Sequence, residues 1–166
     1  RVQVPMTDDL PAARAALDRI HPEGQTALRD AVPLSLTLAE GPESRGLVLL
    51  FTDGEDNASW ISDEGVLEFA RRSDAILHVI TLDSRLTESN PFVVRLTQAA
   101  GGREFKASSE DDLARMALAG FGEMRSRYLL TYAPKGPASP GWHEVKVRLR
   151  NRGGTVRARP GYVAAR

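Results

Sequence analysis

The strongest constraint on this chain is the run Leu47-Val48-Leu49-Leu50-Phe51, five large apolar residues leading directly into Thr52-Asp53-Gly54. An apolar run of that length without polar alternation suits a strand covered on both faces, as in a parallel sheet flanked by helices. Gly54 permits the sharp turn that ends it. Asp53 would then present its carboxylate just past the carboxyl end of a central strand, where open α/β sheets place their ligands.

The segments on either side follow the same logic. Arg1 to Pro5 alternates and reads as a short edge strand that Pro5 ends. Thr7 or Asp8 can cap a helix whose apolar face is Leu10, Ala13, Leu17 and Ile20. Thr26 precedes a second helix with the face Ala27, Leu28, Ala31, Val32, Ser35 and Leu38; Pro33 should kink it and Gly41-Pro42 closes it. After the opening strand come a helix over 63–72, a buried strand over 75–82 and a loop over 83–91. A helix over 92–100 is stopped by Gly101-Gly102, and 103–106 can form a third parallel strand. Ser108 or Ser109 caps a helix that runs to Arg125 and carries Glu110, Asp111 and Asp112 in its first turn. Strand–helix alternation of this kind predicts an α/β fold with a mostly parallel sheet.

Beyond Arg127 the pattern changes. Tyr128 to Tyr132 reads as a strand, and 134–141 is a loop with three prolines. From His143 to Arg150, Val145, Val147 and Leu149 alternate with Lys146, Arg148 and Arg150; 151–154 is a turn and 155–159 the return strand. The expected organisation is an α/β body over 1–127 with an antiparallel β extension over 128–166 packed on it.

Composition narrows the function classes. At 166 residues with 42% apolar content, the chain can bury one substantial core. A net charge of zero gives no global pull toward nucleic acid, and the basic tail after Trp142 reads as the wet face of a hairpin. No apolar run approaches the roughly 20 residues of a membrane helix. Cysteine is absent, so disulfides and thiolate metal sites are excluded. His21, His78 and His143 fall in different elements, which argues against a zinc site and makes His78 a core residue with a satisfied side chain. Phosphate-binding glycine loops and a Gly-x-Ser-x-Gly elbow are missing.

Two residues remain for chemistry. Thr26 and Asp53 put a hydroxyl and a carboxylate on neighbouring strand-end loops, an oxygen set suited to a hard cation such as Mg²⁺, Mn²⁺ or Ca²⁺. Each has a plainer reading, Thr26 as a helix N-cap and Asp53 as a turn residue bracing its own loop. Asp30 reads as a loop-bracing acceptor; Glu55, Asp56 and Asn57 read as solvated loop residues or as shapers of a ligand face. Trp60 suits either the core or an exposed contact.

Gly-Gln-Thr-Ala-Leu-Arg-Asp-Ala (24–31) and Leu-Leu-Phe-Thr-Asp-Gly-Glu-Asp-Asn-Ala-Ser (49–59) resemble the second and third metal-site loops of a von Willebrand factor A domain, with the flavour of the bacterial von Willebrand A-related proteins. Residues 128–134, Gly141-Trp142 and 158–162 resemble that group's C-terminal extension. The resemblance implies a Rossmann-like three-layer αβα fold and a metal-ion-dependent adhesion site. Thr26 would be its direct hydroxyl ligand and Asp53 a ligand directly or through water, with Gln25, Asp30, Gly54, Glu55, Asp56 and Asn57 around them. The family's first loop, Asp-x-Ser-x-Ser, does not occur in these residues; the expectation is that it lies upstream of Arg1, and that Mg²⁺ binds weakly or not at all to two ligands. The implied function is a non-catalytic binding or adhesion module of an extracytoplasmic (periplasmic or secreted) protein, its metal completed by a Glu or Asp carboxylate from a protein partner. The alternatives are a structural domain with a degenerate site, and a Mg²⁺-dependent phosphotransferase-like enzyme with Asp53 as nucleophile.

Overall fold

The computed structural model describes residues 2–21, 23–41, 45–82, 88–133, 139–151 and 153–164. The fold is α/β, with a three-stranded parallel sheet and a separate two-stranded antiparallel sheet. The parallel sheet contains β1 (Leu47–Thr52), β2 (Ile76–Leu82) and β3 (Glu104–Ala107), in that spatial order. Leu47 lies opposite Ile76 and Thr52 opposite Thr81; Val79 lies opposite Glu104 and Leu82 opposite Ala107.

The apolar run at 47–51 is a strand, but not a central one. Among the described residues β1 pairs only with β2, its residues are half-buried, and Phe51 is 52% exposed. The central strand is β2, where Ile76 to Thr81 are all buried. A run of apolar residues reports that a strand can be covered, not how many neighbours it has.

The pleat of β2 divides the core. Leu77 and Val79 join the larger cluster with α2 (Leu28–Ala39), α3 (Asp63–Arg72) and α4 (Pro91–Ala99), including Val32, Leu36, Val66, Leu67 and Leu96. Ile80 projects to the opposite face, where Phe105 and Ala107 meet Leu113, Met116 and Ala117 of α5 (Glu110–Arg125). Helices therefore cover both faces of the sheet. The α3, α4 and α5 helices start with a side-chain cap. Ser62 accepts from Gly65 N–H, Asn90 from Phe92 N–H ahead of Pro91, and Ser109 from Asp112 N–H. The α2 helix runs through Pro33 and buries Leu28, Val32 and Leu36; Leu38 faces solvent. Gly102 is required where the chain enters β3, because a Cβ there would lie 1.8 Å from the Leu77 carbonyl oxygen.

Several local expectations are corrected. Residues 2–5 form no strand. The cap of α1 (Leu10–Leu17) is Asp9, which accepts from Ala12 N–H, while Thr7 accepts from Asp9 N–H. That helix buries only Ala16, leaving Leu10 and Leu17 exposed. Tyr128 to Tyr132 is extended coil with exposed side chains: strand propensity produces a strand only where a partner edge supplies hydrogen bonds. The expected strands over 143–150 and 155–159 are replaced by β4 (Gly141–Glu144) and β5 (Gly161–Ala164), paired antiparallel. Among the described residues the pairing covers only this base of the expected hairpin, continued by Val145 N–H donating to the Pro160 carbonyl; the expected turn over 151–154 falls partly outside the described residues. The loop expected over 83–91 and the proline loop over 134–141 fall partly outside the described residues.

Two arginines tie this hairpin to the body. Arg157 reaches Glu123 of α5, and Arg159 binds Asp74 and the Arg71 carbonyl.

Candidate functional site

The loop after β1 and the loop before α2 are stapled together at the carboxyl end of β1. Thr26 N–H donates to the Asn57 side-chain oxygen (2.8 Å), and Thr26 O accepts from Asn57 N–H (3.0 Å) and Ala58 N–H (3.1 Å). Asp30 accepts from Trp60 N–H (3.1 Å) and Ile61 N–H (3.0 Å), the bracing role its position suggested. Arg29 N–H donates to Asp56 (2.8 Å), and Asp30 N–H to the Ser59 hydroxyl (3.2 Å).

Asp56 is the centre of this clasp, not a solvated loop residue. Its side chain is 6% exposed and also accepts from Ser59 N–H (3.2 Å) and the Ser59 hydroxyl (2.6 Å). Burial pushes its carboxyl pKa up, but the Ser59 hydroxyl, the Arg29 and Ser59 amides and the Arg29 charge outweigh that and hold it below the ordinary value. Arg29 also pairs with Asp63 at 2.7 Å and lies over the Phe92 ring, which ties the clasp to α3 and α4. Asn57 is likewise structural, through its side-chain bond to Thr26.

The clasp leaves two oxygens unused. The residue at the N-cap of α2 is Ala27, without a side-chain bond, so Thr26 does not cap that helix with its hydroxyl. Among the described residues that hydroxyl has no hydrogen-bond partner, and Thr26 is exposed. Asp53 is exposed too; one carboxylate oxygen accepts from Glu55 N–H at 3.0 Å, a local Asx turn. Gly54 adopts φ +87°, donates to the Thr52 hydroxyl and gives its carbonyl to the Asn90 amide at 3.0 Å. Asn90 thus caps α4 and fixes the Asp53 loop together. A small depression beside Asp53 is lined by Thr81, Glu88, Asn90, Glu104 and Lys106, with the Thr81 hydroxyl donating to Glu104. The side chains of Gln25 and Glu55 are exposed and make no hydrogen bond with the described residues. Trp60 is 95% exposed.

The structure therefore brings the Thr26 and Asp53 loops side by side. Arg29, Ser59 and Asn90 are the participants that sequence reading missed. Asn90-Pro91 is a helix-start signature that could have revealed one of them; Asp56-x-x-Ser59 is a local capping spacing that could have revealed another. In chemical terms the site, among the described residues, offers the Thr26 hydroxyl and the Asp53 carboxylate. No cluster of three or more Asp, Glu, His or Cys able to hold a metal occurs among the described residues.

No family model and no curated protein matches the chain. Among solved structures it is similar to an uncharacterized membrane-spanning protein from Vibrio fischeri, at 18% identity and a TM-score of 0.42, over 76% of this chain and 71% of that one. A likeness at that level carries no argument about fold or function. Among the described residues, no helix is long and apolar enough to cross a membrane.

Proposed function

We propose that this chain belongs to a von Willebrand A-type binding module of an extracytoplasmic protein, in which the Thr26 hydroxyl and the Asp53 carboxylate contribute to a divalent-cation site. The observation that supports this reading is the clasp. A network centred on Asp56 sets two ligand-bearing loops side by side while leaving the Thr26 hydroxyl and most of the Asp53 carboxylate open to solvent. The donor set is hard oxygen only, which fits Mg²⁺ or Mn²⁺. Two protein ligands fill a minority of an octahedral shell, so water and an incoming carboxylate fill the rest. A cation bound mainly by neutral oxygens keeps enough positive charge to attract a Glu or Asp of a partner protein, giving recognition without turnover.

Mn²⁺ tests the reading directly. Titration of the full chain should broaden the amide signals of Thr26, Asp53 and Gly54, and Asp53→Ala should abolish the effect while leaving the fold intact. Broadening that persists in Asp53→Ala, or none at millimolar Mn²⁺, refutes it.

A second reading has its own support. The other acidic side chains that order this face, Asp30 and Asp56, are engaged as internal braces and not as ligands. A structural domain without a working metal site would look the same there, and it predicts the second outcome of the Mn²⁺ titration.

A further inference from the structure

The amino end of the sheet holds a second polar cluster, remote from Asp53. His78 on β2 is fully buried, and its Nδ1 accepts from Arg103 N–H at 3.1 Å, which puts the proton of the neutral ring on Nε2. That Nε2 has no hydrogen-bond partner; it faces a Glu123 oxygen 3.9 Å away. Glu123 meanwhile binds three arginines. One oxygen takes Arg127 at 2.7 Å, and the other takes Arg103 at 3.0 Å and Arg157 of the C-terminal arm at 3.3 Å. Every element around the ring is accounted for. Leu49 of β1 and Gly120 of α5 are apolar, the Phe105 ring of β3 meets it edge-on, and the charged groups are Arg103, Glu123 and Arg127, with Arg157 behind Glu123.

We propose that His78 is a proton-operated release for the C-terminal arm. Protonation places a hydrogen on Nδ1, where it opposes Arg103 N–H and breaks that bond. The imidazolium then draws the Glu123 carboxylate across the 3.9 Å gap, away from Arg127 and Arg157. The arm loses its Arg157 tie to the body and keeps Arg159 on Asp74 and the Arg71 carbonyl. Burial first, then the Arg127 and Arg103 charges, hold the His78 pKa below its ordinary value, against the opposing pull of Glu123. Near neutral pH the ring is neutral and the tie is closed; it opens as acidity rises past the ordinary histidine range.

Amide hydrogen exchange on the full chain, corrected for intrinsic rates, tests this between about pH 7.5 and about pH 5, above the titration of ordinary carboxylates. Exchange at Arg103 N–H and at Val145 N–H, which donates to the Pro160 carbonyl of the arm, should rise by about tenfold or more on acidification. His78→Asn retains an acceptor for Arg103 N–H but does not titrate, and should remove the rise. Arg157→Ala should exchange rapidly at Val145 N–H at both pH values. Nitrogen chemical shifts of the wild-type His78 ring should change in step with the exchange. His143 is stacked on Tyr162 within the arm; a rise that survives in His78→Asn assigns the response to another group and overturns the proposal. Exchange that does not change with pH in the wild type overturns it as well.

Discussion

Replacing Asp56 by alanine removes three hydrogen-bond acceptances at once, from Arg29 N–H, Ser59 N–H and the Ser59 hydroxyl. The hydroxyl can turn to water, but the two amides are part-buried and lose their acceptor. An unsatisfied part-buried donor costs about 1–3 kcal/mol, and hydrogen bonds to a charged acceptor fall in the upper half of that range. The expected loss is about 3 kcal/mol, a fall in midpoint temperature of roughly 6–12 °C for a chain of this size. Asp56→Asn keeps one acceptor oxygen and should lose about half as much. Glu55→Ala, next door but exposed and uncontacted, should stay within about 0.5 kcal/mol. Urea unfolding of the three variants at constant m-value is the assay. The folded-state pKa of Asp56 lies below its unfolded value of 3.8, so its contribution is present above that value. The gap between wild type and Asp56→Ala should therefore be constant near neutrality and close as pH falls below about 4. An Asp56→Ala variant no less stable than Glu55→Ala would show that the clasp is not held from Asp56.

Three further outcomes follow from the packing. Leu36→Ala, at a fully buried position on α2, should cost about 2–5 kcal/mol in the same urea assay, whereas Leu38→Ala, two residues on and exposed, should be nearly neutral. Asn90→Ala removes the cap of α4 and the bond to the Gly54 carbonyl together; about 1–2 kcal/mol should be lost, with faster amide exchange at Glu55. Thr26→Val keeps all three backbone bonds of the clasp and should melt like the wild type, yet lose Mn²⁺ broadening if its hydroxyl is a ligand.

Local signals in the sequence located the body well. Ser109 ahead of the helix to Arg125 and the mostly apolar run into Leu82 put α5 and β2 where they occur, because caps and buried runs act within a few residues. Long-range facts were not legible. Nothing within 47–52 says that β1 has one partner strand among the described residues, and nothing near Asp56 says that its acceptor oxygens serve an amide 27 residues earlier. The same limit explains Tyr128 to Tyr132, where side chains favour a strand and no edge among the described residues receives it. At the site, Asp30 read as a brace because its role is common near helix starts, whereas the Asn57 bond to Thr26 spans 31 residues.

The two ends of the sheet differ in where they leave polar groups unmatched. At the carboxyl end the buried carboxylate, Asp56, is fully engaged, and the unmatched oxygens of Thr26 and Asp53 are on the surface, where water satisfies them at no cost. At the amino end the Nε2 of His78, inside the protein, has no hydrogen-bond partner among the described residues. A buried donor without a partner lowers stability by about 1–3 kcal/mol; a phenyl or leucyl side chain would remove that cost at Nε2 but leave the Arg103 N–H without its acceptor. The Arg103 bond therefore gives a reason for Nδ1 at this position but none for Nε2. A group that must take up a second proton beside Glu123 does give one, because the 3.9 Å gap that leaves Nε2 unpaired in the neutral ring is the distance over which the charged ring attracts the carboxylate. His78→Phe separates the two accounts. It should be less stable near neutral pH, because Arg103 N–H loses its acceptor, and less sensitive to acid; a variant whose pH profile is unchanged would return His78 to the plain core residue its strand position suggested.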